Sequence, residues 1–159
     1  MEVKSRHHLR QDAVEELQST LVDDLGVEPP PGAYELVELE DGPFDVVLID
    51  GEPYVFYVEG EPFLTVRGAN ALEPTRLTVT VDAGAIQFVS DGADVMRPGI
   101  VEADEAIRPG DLVVVVEETH GKALAIGRSR VAGSDLLGPE GKVVDTVHHV
   151  GDELYGFDP

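Results

Sequence analysis

Between Gln11 and Leu25, apolar residues recur at steps of three and four: Val14, Leu17, Leu21 and Leu25, with acids between them. That period predicts an amphipathic helix with one buried stripe. Gly26 ends it, and Pro29-Pro30-Pro31-Gly32 follows as a stiff connector. The pattern then becomes strand-like. Residues 34–39, 44–49, 54–58 and 63–66 read as short strands, separated by Asp41-Gly42, Asp50-Gly51 and Glu59-Gly60, the chemistry of hairpin turns. Gly51-Glu52-Pro53 returns as Gly60-Glu61-Pro62, a repeated hairpin device. The aromatic run Tyr54-Val55-Phe56-Tyr57-Val58, with Phe63, reads as core, or as a partner surface if part of it is exposed. Residues 69–75 read as the boundary between two halves.

After that boundary strands dominate. Leu77, Val79 and Val81 alternate, and the run ends at Asp82, whose carboxylate suits a helix N-cap. A short helix is expected over residues 83–90, with Ala85, Ile86 and Val89 on its buried side and Asp91-Gly92 closing it. Met96-Arg97-Pro98-Gly99 turns the chain beside that helix. Gly84 lets another molecule approach the backbone, and the helix start would aim N–H groups at an anion such as a phosphate. Residues 112–116 are almost wholly apolar, as a strand inside a barrel would be. A further short helix is expected near residues 134–137.

Composition limits the possible functions. A chain of 159 residues buries roughly two-thirds of its unfolded surface, whereas each half alone would be marginal, so the halves are expected to pack together. No stretch approaches the roughly 20 apolar residues of a membrane span, and no signal peptide opens the chain; a cytoplasmic protein is expected. Cysteine is absent, which removes disulfides, thiolate catalysis and cysteine metal sites. Asp and Glu number 32 against 11 Lys and Arg, for a net charge of −21. One explanation is a binder of cations or basic partners; the favoured one is adaptation to a cytosol of very high salt. The acids are spread along the chain, 17 before Arg76 and 15 from it onward, with no acidic tail. At about 1 M salt the Debye length is about 3 Å, so binding would rest on close contacts rather than on long-range charge.

Catalytic signatures are missing. There is no nucleophile elbow, no phosphate-binding loop, and none of the histidine pairings used for zinc among His7, His8, His120, His148 and His149. Neither an enzyme, a metal nor a cofactor is expected. Acid pairs such as Asp23-Asp24 and Glu117-Glu118 read as solvated surface. Basic residues are few, so their placement counts: Arg97, Lys122, Arg128 and Arg130 in the second half, and Lys4, Arg6 and Arg10 near the N-terminus. Arg128 and Arg130 alternate along one strand and would share a face. For Arg97 and Arg128, phosphate contact and a solvated ion pair are equally open; Lys142 reads as solvated surface.

The segment LTVTVDAGAIQFVSDGADVMRPGI (residues 77–100) resembles the start of a PUA domain, a small RNA-binding module. The rest of the module follows in order: Gly110-Asp111, then Gly121-Lys122-Ala123-Leu124-Ala125-Ile126-Gly127-Arg128, then VVDTVHHVGDELY over residues 143–155. The whole chain resembles the translation-factor family of the malignant T-cell amplified sequence protein and ligatin. The resemblance implies an α+β protein, with a small N-terminal α/β pre-PUA domain over residues 1–75 and a C-terminal PUA β-barrel-like domain over residues 76–159. It implies RNA taken up beside Gly84, Ala85, Met96, Pro98 and Gly99, with His148 either packing or stacking on RNA; Asp82 at the helix start and the basic residues Arg97, Lys122, Arg128 and Arg130 are further candidate RNA contacts read from the residues themselves. The ligand would be small-subunit ribosomal RNA or tRNA, with no DNA, and a partner with an initiation-factor-like domain is implied as well. Two other classes stay open: an accessory subunit of an RNA-modification enzyme, and a protein–protein adaptor that has lost RNA binding.

Overall fold

The computed structural model describes residues 1–159. A first antiparallel sheet runs in the order β1 (Val3–His8), β2 (Tyr34–Leu39), β3 (Phe44–Ile49), β4 (Glu52–Val58), β5 (Glu61–Leu64). Helix α1 (Gln11–Leu25) joins β1 to β2, and α2 (Val66–Leu72) leaves β5. Leu17, Leu21 and Leu25 of α1 are all buried, as the apolar stripe requires. Burying each leucine contributes roughly 1.5–3 kcal/mol, an upper estimate because the unfolded chain is itself partly compact. Gly26 then takes φ 64° and its N–H donates to the Val22 carbonyl, closing the helix.

Both tight hairpins have the turn their dipeptides favour. Asp50 and Gly51 have φ of 49° and 84°, and Glu59 and Gly60 have 51° and 80°. Positive φ at both central residues matches the right-handed twist of the flanking strands.

The second sheet has the order β7 (Val95–Met96), β11 (Lys142–His149), β10 (Ala123–Ser129), β9 (Leu112–Glu117), β6 (Thr78–Val81), β8 (Ile100–Ala103). It curls into a nearly closed barrel. Only β6 and β9 run parallel. The expected helix at 83–90 is a 3-10 turn, Ala83–Ala85, followed by α3 (Ile86–Ser90).

Two elements depart from the pattern reading. The N-terminal residues form β1, paired with β2. Its residues are almost all exposed, so no buried alternation marks it as a strand. Residues 69–72, read as part of a boundary, belong to α2. Thr65 caps that helix: its Oγ accepts from Gly68 N–H at 3.0 Å and donates to the Pro53 carbonyl at 2.7 Å.

The two sheets share a core. Leu112, Val114, Ala123, Ile126, Leu154 and Phe157 cluster with the buried residues of the first sheet, while Val113, Val115, Leu124 and Ala125 join a second cluster inside the barrel. Strand β9 is therefore apolar from Leu112 to Val116 because both of its faces are covered. Polar contacts seal the seam. The Asn70 side chain accepts from Ala123 N–H at 2.8 Å and donates to its carbonyl at 3.3 Å. Arg67 reaches the Phe157 carbonyl at 2.9 Å and Glu52 at 3.0 Å.

His148 sits at the centre of this seam with no exposed surface. Its Nε2 accepts from Val66 N–H at 3.1 Å, and its Nδ1 lies 2.8 and 3.0 Å from the Asp152 oxygens. The Val66 bond requires a bare Nε2, so the proton sits on Nδ1 and is donated to Asp152. Burial pushes the Asp152 carboxyl upward. The His148 hydrogen bond, together with donation from His149 N–H and Tyr155 N–H, outweighs it, and Asp152 ends below the ordinary carboxylate range. A carboxyl depressed in the folded state contributes stability above its unfolded pKa of about 3.9, and that contribution disappears as pH falls through the folded value. Asp152→Asn should therefore lower the melting temperature at neutral pH and narrow its gap to the parent protein in acid. A melting series over pH checks this; a constant gap at every pH would show that the Asp152 charge contributes nothing.

Candidate RNA-binding groove

Strand β6 delivers the chain to Asp82, whose carboxylate accepts from Ala85 N–H at 3.1 Å. The turn and α3 that follow form one wall of an open groove. The other wall is β7 and the turn after it, held in place when Asp82 N–H donates to the Gly99 carbonyl at 2.9 Å and Arg97 N–H to the Gly141 carbonyl at 2.8 Å. Between them lies a space of about 510 Å³. Asp82, Gly84, Ala85, Met96, Pro98 and Gly99 all line it, so six residues singled out in the sequence meet at one place.

The two glycines differ in role. A Cβ on Gly99 would stand 3.1 Å from that of Ala85, so the walls come that close only because residue 99 has no side chain. A Cβ on Gly84 would meet nothing within 4 Å except an Asp82 oxygen at 3.3 Å, so residue 84 borders open space.

Sequence reasoning missed other lining residues: Phe88, Val89, Ala93, Asp94, Val95 and Lys142. Phe88 is 67% exposed, the most exposed large apolar residue of the chain. The spacing Ala85, Ile86, Val89 marks the buried side of α3, and Phe88 off that stripe was the available signal. Lys142 reaches the groove through register: β11 pairs with β7 so that Lys142 stands opposite Met96. Its Nζ lies 3.1 Å from Asp94. Nothing local in the sequence links residue 142 to residue 94.

The remaining predicted residues lie elsewhere. Arg97 turns away from the groove and donates to the Asp135 and Glu140 carbonyls at 2.9 and 3.1 Å, bracing the loop before β11. Arg128 sits at the seam, bonded to the Gly110 carbonyl at 2.8 Å and close to Glu59 and Glu61. Arg130 grips Asp145 at 2.9 and 2.6 Å. That paired hydrogen bond holds the Arg130 pKa above, and the Asp145 pKa below, their ordinary values. Arg128 and Arg130 thus serve separate partners rather than one shared phosphate track. Lys122 lines a cleft between α2 and the barrel, with Asn70 and His120. Beside it, burial raises the Glu117 pKa, but the N–H groups of His120, Lys122 and Gly121 outweigh that effect and hold it low. His148, buried and fully bonded, offers no surface for stacking.

The helix start does not present a free anion cradle. The N–H of Ala85 is used by the Asp82 carboxylate, and α3 is only five residues long, too short to build a useful dipole. What the groove offers is apolar surface, an exposed aromatic ring, two carboxylates and one lysine.

The PUA domain pattern matches residues 78–151, the stretch that contains both walls of this groove. The chain is 34% identical to protein MJ1432 of Methanocaldococcus jannaschii, over 99% of each sequence. It is 31% identical to translation machinery-associated protein 20 of Saccharomyces cerevisiae, over 81% of this chain and 75% of that one. The chain belongs to the PUA-domain family of translation machinery-associated protein 20 and the malignant T-cell-amplified sequence proteins. In structure this family member is similar to hypothetical protein PH0734.1 of Pyrococcus horikoshii OT3, with a TM-score of 0.86 at 30% identity, covering 98% of this chain and all of that one. The α+β architecture ending in a PUA barrel, expected from the sequence, is the architecture observed. The yeast relatives carry names that tie them to the translation machinery. No helix is long and apolar enough to cross a membrane.

Proposed function

We propose that this protein is a non-catalytic RNA-binding factor that acts in translation, in the cytoplasm, by taking up small-subunit ribosomal RNA or tRNA in the groove between α3 and β7. The observation that carries this reading is the convergence of Gly84, Ala85, Met96, Pro98 and Gly99 on one open, largely apolar groove inside the PUA-matching segment. Phe88 gives an unpaired base a ring to stack on, and such stacking is worth about 1–3 kcal/mol per base. In this reading residues 76–159 hold the RNA, while residues 1–75, sharing a core with them, orient it on a partner bearing an initiation-factor-like domain. The mechanism is recognition, and no step requires a bond to break. The charge of −21 suits a high-salt cytosol, where short-range stacking and hydrogen bonding outlast phosphate attraction.

One observation favours a second reading. The groove carries Asp82 and Asp94 against Lys142 alone, a balance that also suits a protein–protein adaptor. Crosslinking in native cells, at cytosolic salt, followed by sequencing of bound RNA separates the two. Enrichment of small-subunit ribosomal RNA or tRNA over a mock pulldown is the expected result. No enrichment would transfer the case to the adaptor.

A further inference from the structure

We infer that Asp94 is a built-in phosphate stand-in, holding Lys142 on the groove wall until an RNA phosphate replaces it. The inference rests on the groove being the RNA site, and it names Lys142 as the phosphate contact there.

Lys142 is the one basic residue lining the groove. The nearby arginines are committed: Arg97 to two carbonyls, Arg130 to Asp145. Lys142 and Asp94 are 3.1 Å apart, with side chains 45% and 31% exposed. The two partners are not equally free. Asp94 is tied to the backbone, its Oδ1 accepting from Thr146 N–H at 2.8 Å, while the Thr146 hydroxyl donates to the neighbouring Ala93 carbonyl at 2.9 Å. Lys142 has only its flexible four-carbon stem and no second direct contact, although Asp145 also feels its charge, so it is the member that can swing. Exposed ion pairs contribute little to stability, so exchanging a carboxylate for a phosphate costs little. Because the lysine is neutralised beforehand, its transfer releases little bound counterion. Binding should then depend only weakly on salt, which a protein in concentrated salt needs.

Asp94→Asn tests this cleanly. Asparagine keeps an oxygen for Thr146 N–H and replaces the oxygen that faces Lys142 with an uncharged NH2 group. We would measure fluorescence anisotropy of a short labelled single-stranded RNA and of labelled unfractionated archaeal tRNA across a potassium chloride series. The expected result is about fivefold tighter binding at low salt, equivalent to releasing a pair worth up to about 1 kcal/mol. The slope of log affinity against log salt should steepen by about 0.7, one phosphate contact on a single strand. Lys142→Met should weaken binding about fivefold and abolish the gain in the double variant. If Asp94→Asn leaves affinity and slope unchanged while wild type binds, Asp94 is only a brace for β11 and the inference fails. It fails equally if the gain persists without Lys142. If neither probe binds wild type or Asp94→Asn, the groove reading falls as well.

Discussion

Replacing His148 with alanine should cost about 3–5 kcal/mol of unfolding free energy, the range for emptying a fully buried site and stranding its polar partners. The ring is wholly enclosed and packs edge-on against Phe56, 5.5 Å between centroids. Its loss leaves a cavity between the sheets, an unpaired Val66 N–H at the start of α2 and an Asp152 carboxylate short of one donor. Val66 belongs to the first half of the chain and His148 to the second, so the damage crosses the seam. Urea unfolding followed by fluorescence and by circular dichroism should give one coincident transition in the parent, because the core is shared. In the variant that transition should move to lower urea. A loss under about 1 kcal/mol would mean the seam does not depend on this residue.

The largest effect on binding is expected from Gly84→Asp combined with Phe88→Asp: RNA affinity should fall at least about 100-fold, close to 2.7 kcal/mol. The first substitution puts a negative side chain into the open space beside residue 84. The second removes the exposed ring and adds another negative charge. Neither should harm the fold, since a Cβ at 84 meets only an Asp82 oxygen at 3.3 Å and Phe88 is 67% exposed. Stability should stay within about 0.5 kcal/mol for each. Unchanged affinity for the RNA that crosslinks in cells, with the fold intact, would remove the groove from the RNA site. Arg97→Glu would test this less cleanly. Arg97 braces the loop before β11, so its loss would confuse folding with binding.

How far the sequence could be read depends on the range of the interaction. The buried face of α1 and both tight hairpins were visible because each is set by residues within a few positions of one another. The same holds for Asp82 as a cap, whose partner is three residues away. The groove was half visible. Its glycine, proline and Asp82 signals are local turn chemistry, whereas Lys142 enters only through pairing of β11 with β7. The cationic residues were the least legible. Arg97 and Arg128 read equally as phosphate contacts or as solvated ion pairs, and each, like Arg130, folds onto a carbonyl or carboxylate distant in sequence. In a chain with nearly three acids for every base, an arginine finds a partner within the protein before it finds one outside.

By itself the sequence determined the α+β class, the placement of most strands, the acidic surface and the segment that forms the groove walls. The strand placement and acidic surface follow from period, turn chemistry and composition, all properties of neighbouring residues, while the α+β class and the groove segment were marked by the resemblance of residues 77–100 to a PUA domain. The tertiary structure alone decided that residues 3–8 join a sheet, that residues 66–72 form a helix, and that His148 is a core residue. It also decided which single lysine faces the groove. Each of those outcomes requires long-range contact, such as the His148 to Val66 bond across 82 positions, and long-range contacts are fixed by packing that no local pattern encodes.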